Sequence, residues 1–97
     1  MPDYILLMHN DAQSSTSAEM WARYISGLRE RGVFDGGSSI GDGDAFRQGA
    51  AAGVGSSHLA GYVRVRAANH EEAKKHLCGN PVFENGGTVE IRVLTAE

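Results

Sequence analysis

Four kinds of side chain in this sequence could do chemistry. His9 is followed two residues later by Asp11, and an imidazole and a carboxylate at the end of an apolar segment are the groups a general acid or base requires. The plainer reading of His9 is a solvated or capped ring that closes a strand. Arg64, Arg66 and Arg92 alternate with valine and isoleucine, so all three project from one face of their strands. Planar guanidinium forks grip carboxylates or phosphates by two points and suit a small acidic metabolite. Pairing with Glu90, across strands or across subunits, would neutralise the same groups without a ligand. Tyr62 shares that face and could orient a ligand through its hydroxyl, or simply pack.

Other reactive types read as structural. His58, His70 and His76 show no spacing to carboxylates that marks a metal site, so no metal is expected. The glycines of segment 36–43 lack the lysine-serine ending of a phosphate loop and serve turns. Cys78 is the only cysteine, which excludes an internal disulfide and a cysteine metal cluster. Trp21 and Tyr24 could wall a pocket, but their spacing is that of a helix core stripe. No cofactor motif is present.

These residues need a scaffold, and 97 residues supply one domain, residues 1–97. The net charge of −3 lacks the basic excess of a nucleic-acid footprint. No apolar run reaches the roughly 18 residues of a membrane span, and the start of the sequence has no leader pattern, so the expected location is the cytoplasm.

Segment 4–8 is apolar at both alternating sets, Tyr4, Leu6 and Met8 against Ile5 and Leu7, and reads as a strand to be covered on both faces. Thr16 with Glu19 forms a capping box before a helix over about 17–31, which Gly32 stops. Segment 34–40 reads as a glycine-weakened strand, 41–57 as a long hairpin loop, and 59–67 as an alternating strand. Asn69 with Glu72 caps a short second helix ending near Cys78; Asn80-Pro81 opens a connection that Asn85-Gly86-Gly87 closes, and 88–94 alternates again. The order strand, helix, strand, strand, helix, strand predicts an α+β, ferredoxin-like βαββαβ domain with an antiparallel sheet and its first and third strands central. Two helices cover one face of such a sheet, so the other is expected to meet a second subunit.

The opening Tyr4-Ile5-Leu6-Leu7-Met8, Gly32 with Gly36-Gly37 soon after, Gly61-Tyr62-Val63 and the closing Gly86-Gly87-Thr88-Val89-Glu90-Ile91-Arg92 together resemble the YCII-related family, on its DGPF-type branch. The resemblance covers nearly the whole chain and implies a homodimeric α+β barrel in which two sheets enclose an intersubunit cleft. Members nearer the YciI type carry a histidine on the first helix and an aspartate before a proline, proposed as a catalytic pair. Here no histidine lies between Thr16 and Arg31, Asn80 precedes Pro81, and the Asp-Gly-Pro-Phe stretch is missing, with Gly43-Asp44-Ala45-Phe46 in its region.

Two functions remain open. One is non-catalytic binding, in an intersubunit cleft, of a small and preferably anionic ligand or of a regulatory partner, with Tyr62, Arg64, Arg66 and Arg92 as the binding residues. The alternative is a small-molecule enzyme, lyase-, isomerase- or monooxygenase-like, in which His9 transfers a proton with Asp11 nearby. Absence of the dyad favours binding.

Overall fold

The computed structural model describes residues 2–53 and 55–95. Its order is β1 (Asp3–His9), α1 (Ala18–Glu30), β2 (Phe34–Ser39), β3 (Leu59–Arg66), α2 (His70–Lys75), α3 (Pro81–Glu84) and β4 (Val89–Leu94). The fold is α+β: a four-stranded antiparallel sheet in the order β2-β3-β1-β4, with three helices. The strands with the most apolar residues, β1 and β3, are central, as the order of elements predicts. Among the described residues no helix is long and apolar enough to cross a membrane.

The period of two sorts β1 into faces. Tyr4, Leu6 and Met8 are buried with Val63 and Val65 of β3, and Val89 and Ile91 of β4 pack against them. Helix α1 covers this side with Tyr24 and Leu28, while Glu19 and Arg23 pair one turn apart on its solvent side. The odd set of β1 is only half-buried, because no helix among the described residues lies over Ile5 and Leu7. The double covering expected of β1 is therefore not completed within one chain.

Local signals set the helix ends. The N-cap of α1 is Ser17, which accepts from Met20 N, one residue later than the capping box predicts. Thr16 instead takes the indole N–H of Trp21 at 3.1 Å, so its hydroxyl is no longer free to cap. At the other end Gly32 adopts φ 70, and Gly32 N and Val33 N donate to Arg29 O and Leu28 O. That is a Schellman closure, with buried Val33 and Leu28 as its apolar contact. Asn69 caps α2 by accepting from Glu72 N at 2.9 Å, as expected.

The segment after Asn80 is not a plain connection. Pro81 occupies the first turn of α3, where its missing N–H costs nothing, and the fully buried Asn80 accepts from Val82 N and Phe83 N at 3.0 and 3.1 Å. Across the sheet, β2 and β3 are joined by the glycine-rich loop. No helix or strand occurs among its described residues, and Phe46 within it is 89% exposed.

Candidate functional site

The helix-free face gathers most of the chemically active side chains. Sheet register sets Ile5 opposite Arg64 and Arg92, Leu7 opposite Tyr62 and Glu90, and Asp3 opposite Arg66 and Leu94. All three arginines have carboxylate partners. Arg66 Nη2 lies 3.1 Å from Asp35 Oδ1, Arg64 Nη2 lies 3.5 Å from Asp35 Oδ2, and Asp3 stands 3.9–4.0 Å from both guanidinium groups. Arg92 donates through Nε and Nη2 to Glu90 Oε2 at 3.1 and 3.0 Å. Partly exposed pairs of this kind contribute roughly 0–1 kcal/mol each to stability, but they balance three cations with three anions. The partners of Arg64 and Arg66 are aspartates on the edge strand β2 and at the start of β1, which the alternation of β3 cannot reveal.

At one end of this face His9 Nε2 lies 2.7 Å from Glu90 Oε1. His9 and Arg92 together hold the Glu90 carboxyl below the usual carboxylate range. A bulge at Ala60 of β3 explains who meets whom. Regular pairing after Met8–Gly61 would set His9 against Ala60, but the register slips between Met8 and His9 and pairs His9 with Leu59. Asn10 N then donates to His58 O, and the His58 ring packs edge-on against His9 with centroids 4.7 Å apart. One ligand atom each of His9, His58 and Glu90 falls within 4.8 Å of the others. Residues separated by 49 and 32 positions carry no spacing signal, so only the folded register exposes this cluster.

Asp11 is turned toward β4. Its Oδ1 accepts from Thr88 N at 2.7 Å and its Oδ2 from the Thr88 hydroxyl at 2.6 Å, and these bonds lower its pKa. Both oxygens are thus engaged in tying the end of β1 to the start of β4.

The cavity lies on the opposite side of the sheet. Between α1 and the β2–β3 half is a space of about 510 Å³. Its walls are Trp21, Ile25, Phe34, Met8 and Val82, and its floor is the backbone of Gly37 and Gly61 with Ser39. The register shows why it exists: Gly37 pairs with Val63 and Gly61 with both Met8 and Ser39, so helix-facing positions where alternation calls for large apolar groups carry none. A Cβ at Gly37 would meet Tyr62 O at 2.7 Å, so close strand approach keeps that position bare. Trp21 is thus a wall of this space, whereas Tyr24 is core, its hydroxyl donating to His76 O at 2.6 Å.

One cation stands at the cavity. Arg29, two turns beyond Trp21 on α1, lies over the Phe34 ring at 5.1 Å from its centroid and has no carboxylate within 4 Å among the described residues. Sequence patterning alone does not single out Arg29. The available signal was its i, i+4, i+8 spacing with Trp21 and Ile25. Of the candidate catalytic and ligand-binding residues read from the sequence, Tyr62 alone borders the cavity; His9, Asp11, Arg64, Arg66 and Arg92 do not. Compared with protein-family models, curated proteins and solved structures, the chain matches none of them.

Proposed function

We propose that this chain is a non-catalytic, homodimeric binding domain for a small molecule with an apolar body and one acidic group, held between α1 and the β2–β3 half of the sheet. The cavity of about 510 Å³ carries this reading. Packed interiors leave few voids larger than a water molecule, whereas small-molecule sites occupy roughly 300–1,000 Å³ and combine apolar walls with a few polar groups. Trp21, Ile25 and Phe34 are such walls, and Arg29 is the cation that would take the acid. Among the described residues the cavity wall holds no carboxylate, histidine or cysteine to move a proton or attack a substrate. The ligand thus belongs on the helix side rather than among Arg64, Arg66 and Arg92, whose charges are already matched.

The helix-free face belongs to a second copy in this reading. Strand order, helices on one face, and half-buried Ile5 and Leu7 at the centre of the other support a ferredoxin-like domain whose sheets pair into an α+β barrel, as the YCII-related resemblance implies. Its matched charges let two copies meet without repulsion.

A catalytic reading has one observation in its favour, the 2.7 Å contact of His9 with Glu90, which orients an imidazole for proton transfer. Binding is preferred because His9 stands outside the cavity wall. Trp21, the only tryptophan, makes the test direct. Phenylacetate titrated against the intact chain should shift Trp21 emission saturably. Phenylacetamide, or phenylacetate with Arg29→Met, should bind at least about tenfold more weakly, as loss of a charge-assisted pair demands. His9→Ala should leave affinity unchanged. Equal affinity for acid and amide would overturn the assignment of Arg29, and an unresponsive Trp21 would overturn the cavity reading.

A further inference from the structure

We propose that His9, His58 and Glu90 form a binding site for one divalent first-row transition ion, with Zn²⁺ the best match to the donors. The site lies on the helix-free side of the sheet and is independent of the ligand reading above.

Two imidazole nitrogens and one carboxylate oxygen are the donor set that Zn²⁺ and its neighbours accept, with a fourth position left to water. All three donor atoms already lie within 4.8 Å of one another. Around a tetrahedral ion with bonds of about 2.0–2.1 Å, donors stand roughly 3.3 Å apart. His9 Nε2 and Glu90 Oε1, now 2.7 Å apart, would part slightly, and the His58 ring would close in by no more than about 1.5 Å. His58 is exposed and at the end of a loop, so that motion meets little resistance.

The surroundings favour a cation. Glu90 divides its oxygens: Oε2 is held by Arg92 from outside, and Oε1 is aimed at the histidines. An outer partner of this kind fixes the orientation of a ligating carboxylate. The β3 bulge that brings His58 beside His9 is the sort of local irregularity that re-aims side chains at a site.

The competing account is a simple ion pair between His9 and Glu90. In that account His58 is a bystander, and this separates the two. The intact chain, stripped with EDTA, is titrated with ZnCl₂ by calorimetry and with CoCl₂ by visible absorption. We expect one ion per chain, intense d–d bands with Co²⁺, and at least tenfold weaker binding in His58→Ala and in Glu90→Gln. His70→Ala and His76→Ala should bind as the wild type does. Far-UV circular dichroism confirms folding; the His58 side chain makes no hydrogen bond among the described residues, so its removal leaves the sheet intact. Unchanged affinity in His58→Ala, whatever Glu90→Gln does, would overturn the site. So would a dissociation constant weaker than about 1 mM for the wild type.

Discussion

Asp11 receives both hydrogen bonds that Thr88 can offer, from its backbone N–H and from its hydroxyl, and so fastens the turn after β1 to the first residue before β4. The two residues are 77 positions apart, so this bond closes the chain on itself. Because the charged form is the one bonded, the folded state holds the Asp11 pKa below its ordinary 3.8. The stabilisation is present above that value and is lost as pH falls through the lowered pKa. Asp11→Asn should therefore lower the urea midpoint at pH 6, and the gap from wild type should narrow as pH falls below 3.8 and through the lowered pKa. A gap that persists there would contradict this role.

His76 titrates in a different window. Burial, helped by the Arg31 charge, pushes its pKa below 6.5, so folding favours the neutral ring. Above 6.5 that contribution is complete, and it falls away as pH drops through 6.5 toward the lowered value, because the unfolded chain takes up the proton first. Melting temperature should decline more steeply between pH 7 and pH 5 for the wild type than for His76→Gln. Parallel profiles would show that the ring contributes nothing to folding.

Asn80 is a cap with no substitute. Asn80→Ala should cost about 1–2 kcal/mol in denaturant unfolding, because the buried Val82 N and the half-buried Phe83 N both lose their acceptor. A cost below about 0.5 kcal/mol would mean that water reaches those donors.

The central strand should be sensitive on its two faces in different ways. Leu6→Ala empties a fully buried position and should cost about 2–5 kcal/mol. Leu7→Lys, one residue on, changes the opposite face and should leave unfolding cooperative while weakening self-association more than tenfold by light scattering. A wild-type chain that is monomeric at low micromolar concentration would end the homodimer proposal.

A short bounded apolar run was enough to place β1, and alternation to place β3 and β4 and to put Arg64, Arg66 and Arg92 on the face away from the valines. A single capping residue was enough for α2. The same local logic placed the α1 cap one residue early, because the hydroxyl of Thr16 is taken by a tryptophan five positions on, a contact that exists only once the helix has formed. It read Asn80-Pro81 as a connection because four helical residues are too few to show a period. What could not be read at all depends on register: the pairing of Arg64 and Arg66 with Asp35 follows from strands β2 and β3 lying side by side. The meeting of His9, His58 and Glu90 follows from a one-residue slip in pairing. Glycine positions 37 and 61 look like weak strand in one dimension; in three they are the floor of a cavity.

That floor limits how the cavity could change over evolutionary or engineered time. A methyl group at Gly37 would press on the carbonyl of Tyr62, and one at Gly61 on the carbonyl of Ser38 at 3.0 Å, so filling the space from below would pry edge strand β2 from β3. Substitutions that tune which molecules fit are therefore confined to the walls, at Ile25, Met8 and Val82, where side chains can shorten or lengthen without touching the ladder. The depth of the site is inherited with the sheet, and only its breadth is free to vary.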